Sequence, residues 1–270
     1  LELSRHGYRF RAGQRDSHLT VTVTARGQLK FVDTGTKSFK HLAGVCKRHK
    51  PPTGIVAVCP IPAGISADQP LLIEVWPRLG DDYVDTSSLP DTYAVTVLGD
   101  AGREVVKFGA GWDFFNGHTG RDVVTGGDGN DWIRGGRDND LVHGDGGNDQ
   151  IIDQAAGGND VFFGGPGDDR LGGNSGIDRL VGGPGYDFVL CGDGIDAVIS
   201  DGNDRFRGDC EAIVTLPLGA GARREPLVRG DGYDRRAISR RAGRGAGPRS
   251  YRPRGLRQDR APRSRWCPPD

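Results

Sequence analysis

The sequence predicts an all-β chain whose larger part is a solenoid of stacked short strands, and three observations carry that prediction. A nine-residue pattern repeats eleven times in one register between Gly99 and Ile199. Glycine makes up 45 of 270 residues, about 17% against a usual share of roughly 7%. Hydrophobic residues are only 35%, and Met is absent. Such a chain cannot fill a broad layered core, whereas a narrow core rebuilt at every repeat is within its means.

Residues 1–98 come first and read as β-rich, either a cap or early, degenerate coils of the same solenoid. Leu19 to Thr24, "LTVTVT", alternates apolar and polar residues, and after "ARGQ" the stretch Leu29 to Val32 resumes the pattern, which predicts a hairpin. Short strands follow at Gly54 to Cys59, Leu71 to Trp76 and Thr92 to Leu98, separated by Pro- and Gly-bearing turns. None of these segments has helical periodicity.

The repeat block, residues 99–210, is next. Its units run from "GDAGREVVK" (99 to 107) through "GGDGNDWIR" (126 to 134) to "CGDGIDAVI" (191 to 199), with a two-residue insertion, Asp153-Gln154, before the seventh. Position 6 is Glu104 in the first unit and Asp in the other ten: Asp113, Asp122, Asp131, Asp140, Asp149, Asp160, Asp169, Asp178, Asp187 and Asp196. Position 4 is Gly in every unit but one, where Asp138 stands, and position 8 is apolar in all, from Val106 to Val198. Faded copies at Arg78 to Asp85 and Asp201 to Arg207 extend the expected solenoid in both directions. Each unit divides into a six-residue loop and a three-residue strand whose middle residue points inward. Glycine at position 4 suits a backbone with φ above zero, which Asp tolerates better than most residues.

The tail, residues 217–270, is rich in Arg, Gly and Pro and is expected to be disordered. It holds 15 Arg against 5 acids, while Gly99 to Cys210 holds 21 acids and 9 bases, so a net charge of zero joins an acidic body to a basic tail. Arg outnumbers Lys 30 to 6, a bias that fits GC-rich coding. The tail lacks the aromatic interleaving of a nucleic-acid binder, and none is expected as a partner. Its Arg-Gly-Asp triplet, 229–231, arises easily by chance in such composition. No apolar run is long enough to cross a membrane as a helix. Cys46 with Cys59 and Cys191 with Cys210 read as disulfides, which points to an oxidising compartment. The chain begins Leu1-Glu2-Leu3 without Met, so a signal peptide is expected upstream and the protein is expected to be extracellular.

The chemistry follows from the recurrence of the acid. Two units make one coil, so equivalent loops stack at every second repeat. Glu104, Asp122, Asp140, Asp160, Asp178 and Asp196 then share one edge; Asp113, Asp131, Asp149, Asp169 and Asp187, extended by Asp204, share the other. Neighbours lie about 4.8 Å apart. At that distance two carboxylates repel by about 1 kcal/mol in water and about 3.5 kcal/mol at an effective dielectric of 20. Cations resolve the conflict, and oxygen donors without nearby His or Cys favour Ca²⁺, with several ions in at most about ten gaps between loops.

These units resemble the haemolysin-type, or RTX, nonapeptide GGxGxDxUx. The resemblance spans Gly99 to Ile199, and it implies a right-handed parallel β-roll of bacterial origin that holds Ca²⁺ between stacked loops. The ligands it implies are the ten position-6 aspartates and the carbonyls of loop residues such as Gly127, Gly129, Gly136, Gly147, Gly165, Gly167, Gly183 and Gly185. Glu104, longer than Asp, departs from the pattern at the first site. Phe108, His118, Asp145, Ala155, Ala156, Asn174 and Cys191 replace loop glycines.

Rival readings carry less. His41, Cys46, His49 and Cys59 have the ligand types of a zinc site without its spacing. There is no HExxH helix and no GxSxG elbow, so no catalytic residue is assigned. The expected function is that of a non-catalytic secreted calcium-binding protein whose roll folds on Ca²⁺. The alternatives are a surface adhesin or scaffold using the roll as a rigid stalk, and the remnant of a secreted hydrolase.

Overall fold

A computed structural model describes residues 1–215 except 5–6, 13–15, 37–40, 52, 154–156 and 208–209. The tail expected to be disordered therefore lies outside the described residues. Among those described there is no helix. The N-terminal strands are β1 (Glu2–Leu3), β2 (Gly7–Arg11), β3 (His18–Val23), β4 (Gln28–Asp33), β5 (Lys47–His49), β6 (Ile55–Pro60), β7 (Leu71–Arg78), β8 (Asp82–Asp85) and β9 (Tyr93–Gly99). The repeats supply β10 (Glu104–Lys107), β11 (Phe114–Asn116), β12 (Val123–Asp128), β13 (Trp132–Arg134), β14 (Leu141–Gly146), β15 (Gln150–Ile152) and β16 (Val161–Phe163). They continue through β17 (Arg170–Gly176), β18 (Arg179–Val181), β19 (Phe188–Gly194) and β20 (Ala197–Ser200), after which come β21 (Arg205–Arg207) and β22 (Ala212–Thr215).

From β6 onward successive strands alternate between two sheets, the topology of a parallel β-solenoid. One sheet runs β1-β2-β7-β9-β11-β13-β15-β17-β19-β21; the other runs β22-β20-β18-β16-β14-β12-β10-β8-β3-β4-β6-β5. Pairing is parallel from β2 onward in the first sheet and from β3 through β8 to β22 in the second. Both sheets therefore pass Gly99 without a break. Only β1 and the β3-β4-β6-β5 portion are antiparallel, the β3–β4 hairpin pairing Leu19 with Asp33 and Val23 with Leu29.

The core is one inward side chain deep on each sheet. Val84, Val106, Val124, Val142, Phe162, Leu180 and Val198 stack in one row, and Val97, Phe115, Ile133, Ile151, Leu171 and Val189 in the other. All are buried, and each contributes about 1.5–3 kcal/mol of apolar transfer. The middle residue of every repeat strand faces inward, as its position in the frame requires. Several strands outrun three residues, however. β12 and β14 continue into their loops, pairing Gly127 with Asp145 and Asp128 with Gly146, because stacked loops must also satisfy their backbone groups.

Disulfides join Cys46 to Cys59 and Cys191 to Cys210. The first leaves no thiolate for zinc and removes that rival reading. The second ties the last family-like coil to the segment preceding β22.

Candidate metal centre

The position-6 side chains form two buried columns, one on each edge between the sheets. In one, the backbone N–H of Asp113 donates to Oδ1 of Asp131, Asp131 to Asp149 and Asp149 to Asp169, each at 2.8 Å, and Asp169 donates to Asp187 at 2.9 Å. In the other, Glu104 donates to Asp122, Asp122 to Asp140, Asp140 to Asp160, Asp160 to Asp178 and Asp178 to Asp196, all at 2.8 Å. Every one of these aspartates is at most 2% exposed. Each Oδ1 thus clamps the coil before its own, which fixes the carboxyl's orientation as well as the stacking.

The second oxygen is left over. Oδ2 of Asp113, Asp122, Asp131, Asp140, Asp149, Asp160, Asp169, Asp178 and Asp187 is buried without a hydrogen-bond partner. Arg or Lys forms no salt bridge with any of these nine among the described residues. Burial raises their proton affinity, against the opposing effect of the donated N–H. It pushes Asp131 and Asp140 up to about 9, Asp169 to about 8, Asp113 and Asp160 to about 7, and Asp149 and Asp178 to about 6. Column neighbours add to the rise: Asp113 and Asp149 act on Asp131, Asp122 and Asp160 on Asp140.

Glycine brings backbone oxygens to the same place. A Cβ on Gly147 would sit 1.7 Å from the carbonyl oxygen of Gly129, and one on Gly167 would sit 1.8 Å from that of Gly147. Carbonyls of successive position-4 residues therefore point along the stack with no room for a side chain. All eight loop glycines expected as carbonyl donors, from Gly127 to Gly185, have positive φ. Position 2 shares this demand, which sequence reasoning attached only to position 4. Its substitutes His118, Asp145 and Asn174 take φ of 69°, 69° and 65°, and Asp138 at position 4 takes 77°.

Further acids join the columns, Asp204 as the repeat frame predicts, and Asp82 and Glu211 without having been expected there. Asp82 in β8 accepts the N–H of Ser17 and leaves a buried Oδ2 unpartnered, so the Glu104 column begins one coil earlier. Its signal was the faded "RLGDDYVD" copy. Asp204 accepts the N–H of Asp187 at 3.1 Å, and Glu211 that of Asp196 at 2.8 Å. Glu104 is fully buried, and burial together with the adjacent Asp122 carboxyl raises it far above the usual carboxylate range. The insertion leaves the register intact, with Val161 opposite Leu141. Its Asp153 is fully buried and accepts the N–H of Gly136 at 3.0 Å, while Gln154, Ala155 and Ala156 lie outside the described residues. A second column at position 5 runs the other way. The N–H of Asn148 donates to Asn130 and that of Asp168 to Asn148, while across the roll Asn159 donates to Asn139.

The donor set is all oxygen, with buried anionic atoms unmatched by protein cations. Among the described residues no three His, Cys, Asp or Glu side chains gather around one point, so carbonyls must complete any shell of six to eight oxygens. A family model described as the RTX calcium-binding nonapeptide repeat matches the chain four times, at residues 96–124, 116–151, 154–180 and 172–202. This chain carries RTX calcium-binding repeats. The RTX matches span both acid columns from Glu104 to Asp196, and calcium is the ion that such repeats bind. Asp82, Asp204 and Glu211 extend the RTX columns beyond the matched residues. No curated protein and no solved structure matches the chain.

Proposed function

We propose that this chain is a secreted, non-catalytic calcium-binding protein whose roll folds as Ca²⁺ enters the gaps between stacked loops. The observation that carries the reading is the file of buried, unpartnered Oδ2 atoms at Asp113, Asp122, Asp131, Asp140, Asp149, Asp160, Asp169, Asp178 and Asp187. Those oxygens, with Asp196 and the carbonyls of glycines such as Gly127, Gly129, Gly147 and Gly167, are the atoms assigned to hold the ions. Bound Ca²⁺ supplies positive charge to a dry, like-charged column, so binding free energy becomes folding free energy. Extracellular modules of this kind bind in the range of about 10⁻⁴ to 10⁻³ M. A roll tuned to that range stays open at the low calcium inside a cell and closes outside it. The two disulfides fit the same oxidising destination.

The test is a calcium titration followed by far-ultraviolet circular dichroism and calorimetry on chelator-treated protein. The expected result is disorder in chelator giving way cooperatively to β-structure, with several ions bound per chain. A roll fully folded in excess chelator at pH 8 would overturn the coupling.

A further inference from the structure

The two sheets present different outer faces. Outward residues of the twelve-stranded sheet are largely aliphatic, as in the row Val105, Val123, Leu141, Val161, Arg179 and Ala197, with Arg179 and Lys107 the sheet's cations between β10 and β20. On the ten-stranded sheet, one outward row runs Thr96, Phe114, Trp132, Gln150, Arg170, Phe188, Arg205, and the parallel row includes Leu98, Asn116, Arg134, Leu190 and Arg207. From β9 to β21 neither row contains an acid, although the surrounding segment is strongly acidic. Arg134, Arg170, Arg205 and Arg207 form no salt bridge among the described residues. Two of them lie against aromatic faces: Arg134 is 4.3 Å from the Trp132 ring centroid and 5.9 Å from that of Phe114, and Arg170 is 5.5 Å from that of Phe188. Stacking of this kind holds a guanidinium flat, with its donor fork free at the edge.

We propose that this face binds an extended acidic polysaccharide, laid along the stacking axis with its carboxylates on Arg134, Arg170 and the Arg205–Arg207 pair. These arginines stand on β13, β17 and β21, every second strand of the sheet. Along the stacking axis that spacing is about 9.6 Å, with Arg134 in the row beside that of Arg170 and Arg205; it is close to the length of one disaccharide in an extended chain, so a uronate repeating once per disaccharide meets an arginine side chain at each repeat. The planar fork of Arg matches a carboxylate in bidentate fashion. The three-residue strand part of each repeat, before β17 and β19 run on into their loops, makes the strip about 10 Å wide, with acidic loops along both sides. A single polymer chain fits between them, whereas the phosphates of a nucleic-acid duplex would overhang the acids. The aromatic rings are capped by guanidinium groups instead of being open to bases, which disfavours a single nucleic-acid strand.

The test uses the full chain at constant, saturating Ca²⁺ with immobilised hyaluronate, neutral dextran and a single-stranded oligonucleotide as probes. Hyaluronate should bind, weakening as salt is raised, and dextran should not. The triple variant Arg134→Gln/Arg170→Gln/Arg205→Gln should lose about tenfold or more in affinity, with Arg179→Gln on the opposite sheet as an unchanged control. The single Arg170→Gln variant alters an exposed side chain and should show a smaller loss in the same direction, so the outcome can be read even if the triple variant folds poorly. Absence of hyaluronate binding, wild-type binding by these variants, or equal binding of the oligonucleotide would each overturn the proposal. Binding through calcium on the acidic edges would give wild-type behaviour in the arginine variants and so counts against it.

Discussion

Asp131 accepts the backbone N–H of Asp113 through Oδ1 at 2.8 Å, and its Oδ2 is buried with no partner. One carboxyl thus has two separable duties, a clamp on the neighbouring coil and an unmet negative charge. Asn in its place keeps the acceptor and removes the charge. The Asp131→Asn variant should therefore raise the calcium concentration for half-folding by about tenfold and bind fewer ions by calorimetry, yet show more β-structure than wild type in chelator. Asp128→Asn, at an exposed loop position, should change none of these.

The raised carboxyl affinities fix the sign of the pH dependence. Folded values of about 6 to 9 for Asp113, Asp131, Asp140, Asp149, Asp160, Asp169 and Asp178 exceed the unfolded value near 4, so the folded metal-free chain binds more protons. Its stability is greatest below about pH 4 and falls as pH rises through about 6 to 9. In chelator, circular dichroism should report more β-structure at pH 4.5 than at pH 8. The calcium midpoint should fall as pH rises through the range where the metal-free chain is folded and protonated, because each site there must release protons before it takes an ion, and level off once that chain is open.

Gly147 has φ of 129°, and a Cβ there would lie 1.7 Å from the Gly129 carbonyl oxygen. Gly147→Ala combines backbone strain with a backbone clash, and an effect of about 1–3 kcal/mol or more is expected in thermal melts at saturating calcium. At Gly44 a Cβ meets nothing within 4 Å, so Gly44→Ala should be neutral within about 0.5 kcal/mol.

Phe162 is fully buried between Val142 and Leu180 in a core one residue deep. With no second layer to collapse inward, Phe162→Ala should cost about 3–5 kcal/mol, read as a lowered melting temperature in calcium. Tyr186 is 73% exposed at a loop position, and Tyr186→Ala should leave the melt unchanged.

Much of this was legible because a repeat turns one local rule into many independent instances. Val106, Phe115, Val124 and their successors mark the inward position, and the six-to-three division of each unit places the aspartates at loop ends on alternate edges. The pairing of Asp131 with Asp149, and of Asp140 with Asp160 despite the insertion, follows from that alternation. The cysteine pairs were readable from their grouping along the chain. Asp82, Asp153 and Glu211 were not, since each stands where the nonapeptide frame is faded, interrupted or finished. The place of Asp82 and Glu211 in a column, and of Asp153 against Gly136 of the neighbouring coil, comes from coil stacking, which brings residues many positions apart together.

The sequence by itself determined the period, the inward residue of each strand, the acid at each turn and the oxygen-only chemistry of the site, because each depends on residue identity at fixed local spacing. Tertiary structure decided which carboxyl oxygen is bonded and which is left free, where the columns begin and end, and that four arginines, without a salt bridge among the described residues, share one outer face of an acidic repeat block. Those depend on the direction of N–H groups and on the register between coils, quantities set by stacking and absent from any single repeat.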